Sequence, residues 1–368
     1  MTISDQDQHW MTQALQLAER GLYTTDPNPR VGCILVRDGT VIGQGWHRCT
    51  GEDHAEIIAL KDAGNVAQGA TAYVTLEPCG HFGKTPPCAT ALLKAGVHRV
   101  VVAMKDPNPL VAGRGIAMLR SAGIGVDCGV QKQVAETLNK GFCKRMRRGL
   151  PWVMSKLAVS LDGRTSMASG DSKWITSLDA RHDVHRLRAR SSALMSAAGT
   201  VRVDNPALTA RLEDVTIAVV QPVRVVLDSN LSLNPGQQVF SQAGRVIVFT
   251  LCDDLQKHQP FIDNNVQVCV VNADETGQVS IPVVLQQLAE FEINEVMVEA
   301  GPILNGSLLE SGVVDEWIVY QAAVVLGDQA HGMFNLAGTA TVGQASRLQL
   351  IDVRRVGIDL RLHYIAAH

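Results

Sequence analysis

Short apolar segments along the first 145 residues change repeatedly between helical and strand-like periodicity. Trp10, Ala14, Leu17 and Ala18 form one helical stripe that ends at Gly21. The same patterns predict further helices at 54–62, 88–94 and 116–121, and strands at 31–36, 41–44, 70–76 and 98–104. Strands separated by short helices and short connections indicate an α/β sandwich.

The pattern restarts after a basic run at 144–149, KRMRRG. Charge runs of this kind are usually solvated, so we predict a linker there, with a binding patch as the alternative. Beyond it the predicted strands are 153–159, 223–227, 245–249, 266–271, 295–299 and 316–325, and the predicted helices are 178–189, 282–291 and 304–310. At about 100–200 residues per domain, a chain of 368 residues then predicts two α/β domains, 1–148 and 149–368.

The charge balance excludes a protein that coats nucleic acid with a broadly basic surface. Lysine and arginine number 33 against 36 acidic residues, a net charge of −3, and 46% hydrophobic residues suit a folded chain. We find neither a secretory signal nor an apolar run of about 18 residues, and therefore expect a cytoplasmic protein without a membrane partner. Eight cysteines are widely spread, so we expect reduced thiols at all but two of them.

The strongest chemical signal combines His54, Glu56, Cys79 and Cys88. One imidazole and two thiolates would leave a tetrahedral zinc with one open position, which is typical of a catalytic site. Zinc in such a site lowers the pKa of a bound water to about 7. A carboxylate beside it can carry a proton from that water to a substrate ring nitrogen and then to leaving ammonia, which is the role we expect for Glu56.

The two-residue spacing of His54 and Glu56 restricts how this site can be built. Positions i and i+2 of a regular helix do not share a face, so the arrangement requires His54 at a helix N-terminus. His-x-Glu followed by Pro-Cys is the signature of zinc deaminases, but here the two cysteines are separated by eight residues instead of two. The alternative interpretation is a chance trio of buried histidine and cysteines.

Three further segments share a more specific resemblance: PNPRVGC at 27–33, TLEPCGHFGKTPPC at 75–88 and KDPNP at 105–109. Together they resemble the deaminase half of the bifunctional riboflavin-biosynthesis deaminase/reductase family over residues 8–145. The resemblance implies a cytidine-deaminase-like α/β/α sandwich, with zinc bound by His54, Cys79 and Cys88. It also implies that Asn28, His47 and His81 line the pyrimidine or its phosphate, with a turn asparagine and surface histidines as the alternative.

The second half contains no G-x-G-x-x-G dinucleotide fingerprint. The segment VMVEAGPILNGS at 296–307 reads as a buried strand, a glycine turn and a helix whose free N–H groups can hold a phosphate. A plain strand–turn–helix remains the alternative. KLAVSLDGR at 156–164, SKWIT at 172–176 and DNPALTAR at 204–211 add to this segment, and together they resemble the reductase domain of the same family over residues 150–365.

This second resemblance implies a dihydrofolate-reductase-like α/β domain in which NADPH reduces the ring-opened ribose to a ribityl chain. The cofactor contacts that it implies are Ala158, Trp174, Thr200, Asp204, Ser229, Gly301, Pro302, Ile303, Leu304, Asn305, Gly306 and Ser307. The substrate contacts that it implies are Ser172, Arg188, Leu208, Arg211 and Glu299. Paired guanidinium N–H groups suit a phosphate monoester and an indole offers a stacking face, with surface salt bridges and a core tryptophan as alternatives.

The leading hypothesis is therefore a bifunctional enzyme of riboflavin biosynthesis. It would deaminate 2,5-diamino-6-ribosylamino-4(3H)-pyrimidinone 5′-phosphate hydrolytically and then reduce the sugar with NADPH. We expect a homo-oligomer whose partner is this small molecule. A nucleic-acid deaminase is a second hypothesis, disfavoured by the 4% aromatic content. A zinc-stabilised binding protein without turnover is the third.

Overall fold

A computed structural model of the chain describes residues 3–80, 87–109, 111–212, 219–336, 338 and 341–367. The chain divides into two units, Met1–Gly149 and Leu150–His368, one residue beyond the boundary predicted between residues 148 and 149. Among the described residues, no helix is both long and apolar enough to cross a membrane.

The first unit is a five-stranded sheet between two layers of helices. Its elements are α1 (Asp5–Glu19), β1 (Gly32–Arg37), β2 (Thr40–Trp46), α2 (Ala55–Ala63), β3 (Thr71–Val74), α3 (Cys88–Lys94), β4 (Arg99–Val102), α4 (Arg114–Ser121), β5 (Gly125–Cys128), α5 (Lys132–Leu138) and α6 (Lys140–Arg148). The strand order is β2-β1-β3-β4-β5, with β1 antiparallel to both neighbours and β3, β4 and β5 parallel. Alternate residues of β1 face opposite helix layers: Ile34 packs with Met11 of α1, and Leu35 with Ala59 of α2.

Small residues let α2 lie directly on the sheet. A Cβ at Gly43 or Gly45 of β2 would come within 2.4 Å of the Ala59 carbonyl or 2.5 Å of the Ala55 carbonyl. Glycine is therefore required on the strand, and alanines line the facing side of the helix. This close approach fixes the position of the α2 N-terminus, where the predicted metal ligand His54 lies.

The second unit is built on a nine-stranded sheet of order β11-β10-β9-β8-β12-β6-β13-β16-β15. Its elements are β6 (Trp152–Val159), β7 (Arg164–Ser166), α7 (Leu178–Arg190), β8 (Ala193–Ala197), α8 (Ala198–Asp204), β9 (Val223–Leu227), α9 (Gln238–Ser241), β10 (Val246–Thr250), α10 (Leu255–Ile262), β11 (Val266–Val270), α11 (Ile281–Glu290), β12 (Glu295–Val298), α12 (Pro302–Glu310), β13 (Glu316–Gln321), β14 (His331–Gly332), β15 (Leu348–Val356) and β16 (Asp359–Ala366). The first seven strands in the sheet order are parallel, so their carboxyl ends meet along one edge, where α/β proteins usually bind ligands.

The predicted linker at 144–149 is wrong. Most of that run belongs to α6, which buries Cys143 and ends at Gly149 with φ +66°. Lysine, arginine and methionine favour helices, and two buried positions, Gly141 and Cys143, pack this helix against the unit, so the charge run did not indicate a linker. The patterns also missed β5, β8 and the hairpin of β15 and β16, and the strand predicted at 316–325 ends at Gln321.

Candidate active sites

Helices α2 and α3 bring three metal-ligating side chains together in the first unit. His54 is the N-cap of α2, Cys88 is the first residue of α3, and Cys79 lies in the loop after β3. His54 Nδ1 is 3.2 Å from Cys88 Sγ and 3.8 Å from Cys79 Sγ, and the three candidate ligand atoms all lie within 4.8 Å of one another. A tetrahedral zinc separates its nitrogen and sulfur ligands by about 3.5–3.8 Å, so this donor set fits zinc.

The two thiols are joined by a hydrogen bond that acts on their acidities in opposite directions. Hydrogen bonds from the Cys88 thiol, the His54 ring and the Cys88 backbone N–H lower the pKa of Cys79 to about 4, although burial opposes this. The hydrogen bond to Cys79 and burial together raise the pKa of Cys88. A divalent cation between the two sulfur atoms would stabilise both as thiolates.

Glu56 lies in the first turn of α2 and its side chain is buried, with 3% of the residue exposed. Burial raises the pKa of Glu56 to about 7, although the charge of His54 opposes the shift. A carboxyl group that titrates near neutral pH can both accept and donate a proton. The residue therefore has the acidity that a proton shuttle needs.

Two of the three residues predicted to line the pyrimidine lie beside this centre. His47 and His54 stack edge to face with their ring centroids 5.6 Å apart. Burial lowers the pKa of His47, and the ring is held between the Asp53 carbonyl, 3.1 Å from Nδ1, and Asn28 Nδ2, 3.0 Å from Nε2. The neutral ring that donates from Nδ1 and accepts at Nε2 satisfies both partners. His81 lies outside the described residues.

In the second unit, the carboxyl end of β12 carries a buried ion pair. Glu299 follows this strand, and its carboxylate accepts two hydrogen bonds from Arg188 of α7, with Nη2 2.9 Å from Oε2. Lys156 Nζ of β6 lies 4.0 Å from Glu299 Oε2. Burial opposes ionisation, but the Arg188 and Lys156 charges hold the pKa of Glu299 at about 2.

Residues 301–307 form the start of α12, beside α8. Thr200 Oγ1 accepts a hydrogen bond from the Gly301 N–H at 3.1 Å, which joins two of the predicted cofactor segments. Ile303 is 70% exposed, whereas Leu304, Asn305 and Gly306 are buried. The predicted turn therefore presents only part of its length to a ligand.

The buried part of this turn has structural partners. The Asn305 amide donates to the Ala300 carbonyl at 2.8 Å and accepts from the Ser155 hydroxyl at 2.7 Å. A Cβ on Gly306 would lie 1.9 Å from the Asn335 carbonyl oxygen, so glycine is needed for this close approach. Direct side-chain contact between Asn305 and a cofactor is therefore not what the geometry favours.

The remaining predicted cofactor residues lie on several elements. Asp204, at the end of α8, accepts a hydrogen bond from Ser172 at 3.3 Å. Trp174 is 70% exposed, and the Arg181 guanidinium lies 4.4 Å from its ring centre. Ser229 follows β9 and accepts from the Val279 N–H at 3.2 Å, and Ala158 lies half-buried on β6.

The remaining predicted substrate residues, Leu208 and Arg211, lie on the segment after α8. Leu208 is buried with φ +47°, whereas Arg211 is exposed. Arg188 also donates to the Thr209 carbonyl at 3.2 Å, which ties this segment to the Glu299 pair. The Arg211 backbone N–H donates to His185 Nδ1 at 3.2 Å.

Lys156 was not predicted as a site residue. The signal was visible, because a lysine interrupts an otherwise apolar strand between Ser155 and Leu157. A charged residue on a buried strand usually has a partner, but the partner, Glu299, could not be identified from spacing along the chain.

Comparison with protein families assigns both halves of the chain. Residues 4–104 match the cytidine and deoxycytidylate deaminase zinc-binding region, and residues 151–362 match the RibD C-terminal domain. The first match covers the segment that carries His54 and Cys79.

Similar proteins match the chain over nearly its whole length. The riboflavin biosynthesis protein RibD of Escherichia coli K12 is 47% identical, covering 98% of this chain and all of that protein. The structure of Acinetobacter baumannii RibD has a TM-score of 0.92 at 45% identity, covering 99% of each chain. A diaminohydroxyphosphoribosylaminopyrimidine deaminase/5-amino-6-(5-phosphoribosylamino)uracil reductase of Thermotoga maritima has a TM-score of 0.87 at 33% identity, covering 98% of this chain and 99% of that one.

Proposed function

Because the chain belongs to the RibD family of bifunctional deaminase/reductases of riboflavin biosynthesis, we propose which of its residues carry the two reactions. The family assignment confirms the predicted activities, the two fold classes, and zinc and NADPH as cofactors. The two alternative hypotheses, a nucleic-acid deaminase and a binding protein without turnover, are not needed to explain these findings. The role of each residue remains a prediction, and the contacts that support each role are given in turn below.

In the deaminase unit, His54, Cys79 and Cys88 hold the zinc, and Glu56 moves the protons. Zinc, when bound, supplies a Lewis acid that activates water for attack on the pyrimidine. Glu56 takes one proton of that water and delivers it to the ring nitrogen. It then transfers a second proton, from the hydroxyl group added to the pyrimidine carbon, to the amino group, which leaves as ammonia. The observation that carries this proposal is the convergence of the three ligand atoms next to a buried carboxyl group with a pKa near 7.

Asn28 and His47 would orient the pyrimidine. Their mutual hydrogen bond fixes the ring of His47, and the ring lies edge to face with the metal ligand His54. Fixed polar groups at the side of a reactive centre position a substrate without reorganising during the reaction. We keep His81 as a predicted contact of the same substrate.

In the reductase unit, NADPH would lie along the carboxyl edge of the parallel strands. The hydrogen bond between Thr200 and Gly301 supports a shared cofactor surface at the N-terminus of α12, where free N–H groups favour a phosphate. Ala158, Trp174, Asp204 and Ser229 would extend this surface, and Asp204 is hydrogen-bonded to the predicted substrate contact Ser172. We assign Leu304, Asn305, Gly306 and Ser307 to shaping the turn, and Gly301, Pro302 and Ile303 to cofactor contact.

The substrate would meet the group formed by Glu299, Arg188 and Lys156. Arg188 is held by the buried Glu299 carboxylate and the Thr209 carbonyl, whereas the exposed Arg211 contacts only the neutral groups Thr209 Oγ1 and His185 Nε2, so Arg211 is the better candidate for the phosphate. Glu299 stays ionised and can hold sugar hydroxyl groups while the nicotinamide supplies the hydride. Leu208 and Ser172 would complete the contact.

The test follows NADPH absorbance and ammonia release after the diaminopyrimidinone ribosyl phosphate is added to zinc-loaded protein. NADPH oxidation that depends on prior ammonia release is the expected result. Ammonia without NADPH oxidation would leave the deaminase assignment intact and overturn the residue assignments of the second unit.

Assembly and location are further parts of the proposal. Leu350, Ile351 and Val353 are about half-exposed on the edge strand β15, and such edges favour pairing with another chain, which supports a homo-oligomer. Size-exclusion chromatography with light scattering would measure the mass of the assembly and so test the homo-oligomer. Metal binding by Cys79 and Cys88 needs reduced thiols, which supports a cytoplasmic location.

A further inference from the structure

A second buried carboxylate lies close to the metal ligands and takes no part in the proposed chemistry. Glu77 is only 5% exposed. Its side chain accepts hydrogen bonds from four backbone N–H groups: Oε2 from Asp106 at 3.2 Å and Gly113 at 2.9 Å, and Oε1 from Gly115 at 3.0 Å and Ile116 at 3.2 Å. Backbone N–H groups stabilise a buried carboxylate strongly, so this arrangement holds two distant segments together.

One of these segments is the N-terminus of α4. The N-cap of this helix is Gly113, which has φ +79° and no side chain to accept the first-turn N–H groups. Glu77 supplies the missing acceptor from another part of the chain, and its negative charge suits the helix dipole. Glu77 is therefore an external cap of α4.

The loop that follows Glu77 lies directly on the α4 backbone. A Cβ on Gly115 would come within 1.8 Å of the Pro78 carbonyl oxygen, and one on Gly80 within 2.7 Å of the Gly115 nitrogen. Only glycine fits at these approaches, so the loop and the helix are in backbone contact on both sides of Cys79.

Besides its contact with His54, Cys79 is held by backbone groups of α3. Its carbonyl accepts from the Ala89 N–H at 3.2 Å, and its Sγ accepts from the Cys88 N–H at 3.2 Å. Cys79 is therefore held by α3 directly and by α4 through Glu77. A thiolate placed by two helices has little freedom to move away from a metal.

We propose that Glu77 is a positioning residue of the deaminase site, which fixes Cys79 as a zinc ligand by fastening its loop to α4. The inference rests on the proposed zinc ligand set. Groups that orient metal ligands from outside the coordination sphere typically change metal affinity by about 10–100-fold when they are replaced. A glutamine at 77 keeps the shape, but its NH2 group faces two N–H donors and loses their hydrogen bonds.

The experiment compares the full-length wild type with Glu77→Gln and a matched control, Asp7→Asn. Asp7 is another buried carboxylate of the same unit. It accepts hydrogen bonds from Ser4, Tyr73 and Arg99, and none of these three partners is a metal ligand or lies in the loop after Glu77. Each protein is loaded with zinc, and its transfer to a coloured chelator is timed. Each is also loaded with Co²⁺, whose visible spectrum reports thiolate coordination geometry.

We expect Glu77→Gln to release zinc about 10–100-fold faster and to alter the Co²⁺ spectrum. Its deaminase kcat should fall with little change in KM. Asp7→Asn should lower the denaturant midpoint and leave zinc release and the Co²⁺ spectrum as in the wild type. Equal zinc release and spectrum in Glu77→Gln and wild type would overturn the proposal, whatever happens to stability.

A second variant and two further measurements distinguish a failed proposal from a variant that does not fold and from a wrong ligand set. If Glu77→Gln does not fold, Glu77→Asp applies the same test, because its carboxylate is one methylene too short to reach all four N–H groups; unchanged zinc release there also overturns the proposal. A wild type whose Co²⁺ spectrum lacks thiolate charge-transfer bands would instead contradict the ligand set itself. NADPH oxidation with already deaminated substrate reports that the reductase unit of each variant is folded.

Discussion

The zinc centre and the reductase site are assembled from the chain in opposite ways. His54 lies 25 residues from Cys79 and 34 from Cys88, and short helices bring the three together. Arg188 and Glu299 are 111 residues apart, and they meet because Arg188 of α7 reaches the carboxyl end of the central strand β12, where Glu299 follows. A metal site of this kind can therefore be recognised in the sequence from residue types at short spacing. A cofactor site along the carboxyl ends of parallel strands cannot, because its residues come together only through the strand order of the sheet.

The difference also concerns how each site tolerates change. The zinc centre concentrates its chemistry in four side chains, so a single substitution should abolish one reaction. The reductase site spreads binding over many backbone and side-chain contacts, and each substitution should cost only part of the activity. The following variants test this contrast.

The largest effect is expected for Glu56→Gln. Loss of the proton shuttle should reduce hydrolytic deamination by about 10²–10⁴-fold, because a glutamine cannot carry protons between water, ring nitrogen and ammonia. Ammonia release measures this. Zinc content and NADPH oxidation with already deaminated substrate should match the wild type, and normal deamination would show that Glu56 has another role.

A smaller effect, on stability, is expected for Arg188→Met. The substitution leaves the Glu299 carboxylate buried without its main counter-charge, which should cost about 3–4 kcal/mol of unfolding free energy. Urea unfolding measures this cost. The triple variant Arg188→Met, Glu299→Gln, Lys156→Met should recover much of the loss, because it removes all three charges of this buried group. A triple variant as unstable as Arg188→Met would mean that packing, and not charge, sets the cost.

Gly306→Ala addresses the cofactor turn. The added Cβ would lie 1.9 Å from the Asn335 carbonyl oxygen, so α12 or the facing segment must shift, at a cost of about 2–3 kcal/mol. We expect a higher KM for NADPH and unchanged ammonia release. Gly343→Ala is the matched control, because the nearest atom to its Cβ is 3.9 Å away. An unchanged KM in Gly306→Ala would separate this turn from the cofactor site.

The residues that could be predicted follow the same contrast. His54, Glu56, Cys79 and Cys88 were identified from their types and spacing, and the N-cap position required of His54 is what the structure shows. Glu77 belongs to the same short motif, yet its role was not predictable, because its partners lie 29–39 residues further along the chain. Only the fold brings α4 to the loop.

The errors in secondary structure have local causes. Strand β8 is a short apolar run, ALMSA, which fits a helix as well as a strand. In α6 the basic residues favour a helix that a charge-run argument assigns to a linker. Strand β15 carries exposed apolar residues, so it lacks the alternation of a half-buried strand. Lys156 and Glu299 are adjacent only because β6 and β12 are neighbours in the sheet.

The smallest expected effect concerns acid stability of the first unit. Burial opposes ionisation of Asp7, but hydrogen bonds from Arg99, Ser4 and Tyr73 hold the pKa of this carboxyl well below its ordinary value. A carboxyl group with a lowered native pKa stabilises the fold above its unfolded pKa, near 3.9, and this contribution is lost as the pH falls below about 4. The unfolding free energy of the wild type, measured by thermal or urea unfolding, should therefore fall below that pH.

Asp7→Asn removes the titrating group while keeping its shape. At pH 7 it should lower the unfolding free energy by about 1–2 kcal/mol, since the bonds to Arg99 and Tyr73 lose their charged acceptor. Below pH 4 the difference from the wild type should shrink, because Asp7 takes up a proton in the unfolded state first and the ionised native carboxylate then contributes less to stability. A constant difference across the whole range would mean that the Arg99 contact stabilises the unit without any contribution from the Asp7 charge. Because Asp7 lies outside both sites, zinc content and NADPH oxidation should be the same at pH 7 in variant and wild type.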